Sequence, residues 1–235
     1  MTVTRKSAIV TGSSSGIGRA IAERLLADGW QVHGLDVAPA VIAHSAFAAH
    51  PVDLTDARAT DVAMDEVLAA CTPKALVHAA GVARLASLGA LQDADGLLMW
   101  QLHVHAATRL ANRVIPAMQA SGQGRVVLIG SRVSQGMAGR SQYAACKAAL
   151  VALARSWAAE VVSDGVTVNV VSPAATLTPM LQDPARATTS PRMPPIGRFI
   201  EPREVAGLVA YLLSEDAAAI TGQDIAICGG ATLRR

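Results

Sequence analysis

The chain has 235 residues, a net charge of +2, 51% apolar residues and only 3% aromatic ones. That length suits one domain, 1–235, and with no lysine or arginine cluster, nucleic-acid and membrane-surface binding drop out of the expected functions. Three scattered cysteines, Cys71, Cys146 and Cys228, show no metal-type spacing, so a reducing, cytoplasmic setting without a catalytic metal is expected.

The opening MTVTRKSAIV is too short an apolar stretch for a signal peptide and reads as the approach to a strand. No later segment reaches the roughly 18 uninterrupted apolar residues of a membrane span. Strand-like runs are SAIVTG (7–12), QVHGLD (31–36), HPVD (50–53), ALVHAA (75–80), RVVLIGS (125–131), VTVNVVS (166–172) and DIAIC (224–228). Helical segments between them are 17–28, 60–71, 97–120, 141–163 and 202–213. Strands alternating with helices predict βαβ units, a parallel sheet and helices on both faces. The strands are near-continuous apolar runs, as strands buried on both faces require. One stretch, 174–200, carries many prolines and fits no element; a segment of that length in a compact domain reads as a functional lid, with plain disorder as the alternative.

The first strand runs into TGSSSGIGRAIAERLLADG, which places Gly12, Gly16 and Gly18 between a strand and a helix. Glycines there let a phosphate approach the backbone, and the helix start offers free N–H groups and a positive dipole end. Ser13, Ser14 and Ser15 add hydroxyl donors. A triphosphate-binding loop would need Gly-Lys-Ser/Thr, which is absent. The second strand ends at Asp36, 18 residues after Gly18, where an acid in a dinucleotide fold accepts from the adenosine ribose hydroxyls. It would repel a 2′-phosphate, and positions 37 and 38 carry no basic residue, so NAD(H) is expected over NADP(H).

Further along, SQYAACKAAL puts Tyr143 and Lys147 four residues apart, on one face of a helix. A free tyrosine has a pKa of about 10, too high for easy proton exchange at neutral pH. A lysine cation at ~4 Å, with an effective dielectric of ~20, favours the tyrosinate by about 4 kcal/mol. The pair therefore reads as a general acid/base.

TGSSSGIG, the YAACK pentapeptide, Ser131 twelve residues before Tyr143, SPAATLTPM and ITGQDIAICGG together resemble the short-chain dehydrogenase/reductase family, from Ser7 to Gly230. The resemblance implies an α/β fold: one Rossmann-type domain with a doubly wound, seven-stranded parallel sheet. It implies an enzyme that interconverts a small secondary alcohol and a ketone with NAD(H). In it Tyr143 is the general acid/base, Ser131 holds the substrate oxygen and Lys147 supports Tyr143. It also places the cofactor on Gly12, Ser14, Ser15, Gly16, Ile17, Gly18, Asp36, Asp53, Leu54, Ala79, Ala80, Gly81, Tyr143, Lys147 and Pro173. Thr178, with Thr176 as competitor, would meet the nicotinamide half.

This chain departs from the family pattern at several points. The usual NNAG of strand four is His78-Ala79-Ala80-Gly81, and the family's catalytic asparagine falls on His103. Two readings of His103 stay open, a member of the proton relay or a structural histidine. The proline-glycine after strand six is Pro173-Ala174, and Cys228 replaces an aspartate. These changes keep a second functional reading in view, a catalytically inactive NAD(H)-binding sensor or scaffold. Cys146 reads as a packing residue. His103 and His105 sit on different helix faces and do not suggest a metal. Helix 141–163 is apolar on more faces than one sheet contact uses, so a homo-oligomer, dimer or tetramer, is expected. In the lid, Met180, Leu181, Met193, Ile196 and Phe199 suggest an apolar pocket, whereas Arg186, Arg192 and Arg198 could meet an acidic substrate.

Overall fold

The computed structural model describes residues 5–182 and 192–233. Seven strands form one all-parallel sheet: β1 (Ser7–Thr11), β2 (Gln31–Asp36), β3 (Phe47–Pro51), β4 (Ala75–His78), β5 (Gly124–Ile129), β6 (Val166–Pro173) and β7 (Asp224–Ile227). Their order is β3-β2-β1-β4-β5-β6-β7. The chain winds outward from β1 to β3, returns beside β1 as β4, then winds the other way. This reversal opens a crevice beyond the carboxyl ends of β1 and β4, where such sheets bind ligands.

The helices are α1 (Gly16–Ala27), α2 (Ala57–Ala70), α3 (Asp93–Trp100), α4 (Ala106–Ala120), α5 (Ser141–Val161), the single-turn α6 (Pro179–Gln182) and α7 (Pro202–Leu212). The period-2 alternation of strand side chains divides the core in two. Ile9, Leu76, Val126, Leu128 and Val168 join the cluster under α2, α4 and α5. Ala8, Val10, Val77, Val127 and Val171 join the one under α1 and α7. Small aliphatics suffice because both faces of the central strands are fully covered.

Three elements differ from expectation. The third strand lies at 47–51, not 50–53, because β3 pairs with β2 from Val32↔Phe47 to Asp36↔Pro51. That register leaves the apolar Val52 and Leu54 free to turn into the core. Pro51, which has no N–H to donate, closes an edge strand where the missing donor costs least. The second helix begins three residues early because the Asp56 carboxylate caps it, accepting from the Ala59 N–H at 3.0 Å. The segment expected as one helix over 97–120 starts at Asp93 and is interrupted by a π-helical turn, Gln101–His105. Such turns insert one residue into a helix and are frequent at functional sites.

Of the expected lid, residues 183–191, including Arg186, lie outside the described residues. Its two arms are tied at the base, where Leu177 N–H donates to Ile200 O at 2.8 Å and Ile200 N–H to Ala175 O at 3.0 Å.

Candidate active site

β1 ends in Thr11 and the chain turns through Gly12, which has φ 68°. A Cβ on Gly12 would stand 3.0 Å from the Ala80 backbone, and one on Gly18 would overlap the Gly12 carbonyl oxygen. Positions 12 and 18 are therefore closed to any side chain, and α1 begins on the turn with its N–H groups toward the crevice. A dinucleotide pyrophosphate fits this cradle, which supplies close approach and a positive dipole end together. Ser15, at the N-cap of α1, is exposed and makes no capping bond. Ser14 is turned the other way: its N–H donates to Asp36 Oδ2 at 2.8 Å and its hydroxyl to Ala38 O at 3.2 Å. Asp36 Oδ1 also accepts from Ala38 N–H at 2.9 Å. The carboxylate is thus fixed at the end of β2, beside the cradle. Asp53 is exposed and accepts from the N–H and hydroxyl of Thr55 at 2.9 and 2.8 Å. Leu54 is 3% exposed and its side chain packs in the core, which leaves its backbone as the part that can face a cofactor.

Ser131, Tyr143 and Lys147 line one cavity of about 910 Å³ at the carboxyl end of the sheet. Ser131 follows β5 in extended conformation (φ −168°) and caps a short 3-10 turn, Arg132–Gln135. Its hydroxyl accepts from Val133 N–H at 3.4 Å, a bond long enough to yield to a better donor or acceptor. Tyr143 and Lys147 project from α5, and the lysine Nζ lies 5.6 Å from the centre of the tyrosine ring. Lys147 is 5% exposed and donates to Ile129 O at 2.7 Å. Burial pushes its pKa down from the ordinary lysine value to about 7. Thr178 lies against the glycine turn, since a Cβ on Gly16 would meet its methyl at 3.2 Å. Thr176 instead donates its hydroxyl to Ala174 O at 3.0 Å. Pro173, Ile17, Ala79 and Gly81 also line the cavity.

Both histidines that stand in asparagine positions are buried and neutral. His103 Nε2 donates to Val82 O at 2.8 Å, so Nδ1 holds a lone pair, which accepts from Lys147 Nζ at 3.2 Å. Burial first, and then the nearby lysine charge, hold its pKa well below the ordinary histidine value. Its ring lies edge-on to Tyr143, centroids 5.6 Å apart. It also fills the space a side chain at position 81 would need. His78 Nε2 donates to Leu102 O at 3.1 Å, a carbonyl in the π turn. Its Nδ1 accepts from the Thr11 hydroxyl at 3.0 Å. That hydroxyl in turn accepts from the N–H groups of Ala79 and Ala80 at 3.0 and 2.9 Å. Burial, then Lys147, lower the His78 pKa to about 4. One hydrogen-bonded lattice therefore joins β1, the β4 exit and the turn that carries His103.

A family profile described as Enoyl-(Acyl carrier protein) reductase matches residues 12–232. The 3-oxoacyl-[acyl-carrier-protein] reductase of Vibrio cholerae serotype O1 is 35% identical over 98% of each chain. The chain belongs to the short-chain dehydrogenase/reductase family. The corresponding reductase of Escherichia coli K12 is 36% identical over 96% of each chain. Among solved structures, ligand-free aldohexose dehydrogenase of Thermoplasma acidophilum superposes with a TM-score of 0.91 at 26% identity, covering 98% of this chain and 95% of that one. As a short-chain dehydrogenase/reductase the protein is an oxidoreductase that uses a nicotinamide cofactor. No described helix is long and apolar enough to cross a membrane.

Within this short-chain dehydrogenase/reductase the sequence reading missed three things. It gave His78 no side-chain role, although two asparagine positions both changed to histidine was a signal that they act together. It did not see Thr11, whose identity in a strand says nothing of its hydroxyl's three partners. It also passed over Arg132 and Arg140, which line the cavity beside Ser131 and Tyr143. Of the lid arginines it did name, Arg198 is bound to Glu204 by two bonds of 2.7 and 2.9 Å, which removes it from substrate binding. Cys146 packs beside Met99 and Val104.

Proposed function

We propose that the protein interconverts a secondary alcohol and a ketone with NAD(H). The observation that carries this reading is the meeting of Ser131, Tyr143 and Lys147 in one cavity that opens onto the glycine cradle. Bound there, the nicotinamide would supply the hydride acceptor or donor. Tyr143 takes the hydroxyl proton in oxidation and returns it in reduction. Lys147 at its side favours the tyrosinate while protonated, a form that burial holds only up to about neutral pH. Ser131 holds the substrate oxygen in the plane where Tyr143 reaches it. His103 fixes the lysine through Nδ1. The whole chain acts as one catalytic domain, with 174–200 as the lid over the substrate.

NAD(H) preference rests on Asp36. Its carboxylate is held by two backbone N–H groups, so it cannot swing away from a 2′-phosphate. NAD⁺ is expected to give the higher kcat/KM by at least roughly tenfold, and Asp36→Ala to narrow the gap; a native preference for NADP⁺ would overturn this assignment. A second reading comes from the relatives named 3-oxoacyl-[acyl-carrier-protein] reductases, 34–36% identical over nearly full length, and makes the ketone a 3-oxoacyl thioester. The decisive experiment follows NADH absorbance with a panel of secondary alcohols and 3-oxoacyl thioesters. Tyr143→Phe should lower kcat by about 10²–10⁴-fold while NADH still binds. NADH binding with no turnover of any of these would favour the sensor or scaffold reading.

A further inference from the structure

The cavity that holds Ser131 and Tyr143 has a one-sided charge. Its lining includes Arg132, Arg140, Lys147 and Arg192, and no aspartate or glutamate among the described residues. Several arginines elsewhere meet carboxylates: Arg19 with Glu23, Arg24 with Asp28, Arg113 with Asp65, Arg198 with Glu204. Arg132 does not. Its one hydrogen bond among the described residues runs from Nη1 to the Ala231 carbonyl, at 3.4 Å. A guanidinium carries five N–H donors in a planar fork, and a single long bond to a neutral oxygen leaves most of them for a ligand.

Arg132 is half-buried and follows Ser131 directly, in a 3-10 turn that sets its direction. The cofactor's pyrophosphate does not account for it. That group belongs at the start of α1, beyond β1. Arg132 leaves the sheet at β5, two strands away, and reaches Ala231 after β7, two strands farther still. At about 4.8 Å per strand, this direction leads away from the phosphates, to the substrate side. A cleft lined by one sign of charge focuses its field on ligands of the opposite sign. An arginine fork matches a carboxylate or phosphate with two parallel hydrogen bonds.

We infer that this cavity selects substrates carrying an anionic group close to the reacting carbinol, with Arg132 as the anchor and Arg192 at the rim, and that the group is a carboxylate. This rests on the oxidoreductase reading and narrows it. It sets the substrate apart from a thioester, whose carbonyl end is neutral. The carboxylate takes no part in the bond changes; it orients the carbinol between Ser131 and Tyr143.

The test compares kcat/KM of the intact protein with NAD⁺ for 3-hydroxybutyrate, its methyl ester, its thioester and a phosphorylated secondary alcohol. The acid should exceed both neutral forms by about tenfold or more, with an advantage that shrinks as salt is added. Arg132→Gln should bring the acid-to-ester ratio near one, and Arg132→Lys should keep part of it, with melting temperature and NADH fluorescence as checks on folding. Preference for the phosphorylated alcohol over the hydroxy acid would keep the anion site and overturn the carboxylate. Esters used as well as acids, or a ratio unmoved in Arg132→Gln, would overturn the inference and leave the oxidoreductase reading standing. Turnover of none of the four would overturn the carboxylate inference, and inactivity across the wider alcohol panel as well would overturn the alcohol–ketone reading.

Discussion

His103 shows how one substitution is absorbed by a shared site. A backbone carbonyl at this position survives any side chain, which is why sequence alone left its role open. The structure adds a side-chain contact, Nδ1 accepting from Lys147 at 3.2 Å. A neutral imidazole lone pair stabilises the ammonium, so removing it drives the lysine pKa further below about 7. A hydrogen bond to a buried charge contributes about 1.5–3 kcal/mol. His103→Leu should therefore cut kcat roughly 10- to 100-fold and, because a lysine that deprotonates earlier supports the tyrosinate less, move the rising limb of the oxidation kcat–pH profile to higher pH. His103→Asn keeps an acceptor and should retain most activity. A leucine variant with an unmoved pH profile would reduce His103 to packing.

Among the elements, the β1–α1 turn was the most legible, because glycines between a strand and a helix have few other uses. Steric closure explains it: Gly18 faces the Gly12 carbonyl with no room for a methyl. Gly18→Ala should lower the melting temperature and weaken NADH binding together, since one backbone shift disturbs both; tight NADH binding in that variant would show that the cradle can relax. The π turn was the least legible element. Its local sequence, QLHVH, is ordinary for a helix. In the turn Leu102 O accepts from His78, 24 residues earlier, and the His103 ring seats over Gly81, contacts that the local sequence does not display. The shifted β3 has a similar origin. Its register is set by β2, and no local pattern in AFAAHPVD reveals that.

For the molecule as a whole, burial of titratable groups couples stability to pH. His78 goes from its ordinary value to about 4, and His103 moves in the same direction. Between about pH 4 and the ordinary histidine range the unfolded chain binds more protons than the native one. Stability is thus complete above that range and lost as pH falls through it, by about 3 kcal/mol for His78 alone. Lys147 acts at higher pH with the same sign: its burial costs most below about 7, and stability rises from there toward the ordinary lysine pKa. Urea unfolding across acidic pH should show this slope, and His78→Asn should flatten it; an unchanged slope would assign acid sensitivity elsewhere. Assembly belongs to this scale too. Arg109 on α4 has a buried Nη1 without a partner among the described residues, and Val151, Leu153 and Trp157 on α5 are only partly covered. A second subunit on these two helices would cover them, and light scattering should find an oligomer.

Ser131 was legible through the family resemblance, whereas much that depends on near neighbours in the chain could be read directly: the alternation of strands and helices, the glycine turn and the i, i+4 pairing of Tyr143 and Lys147. These follow from backbone geometry and periodicity, which are local. The joining of His78 to the π turn, the seating of Lys147 between Ile129 O and His103, the packing of Leu54 in the core and the gathering of arginines around Ser131 depend on residues tens of positions apart. Such contacts form only once the sheet order brings β4, β5 and β7 side by side, and no spacing along the chain encodes them.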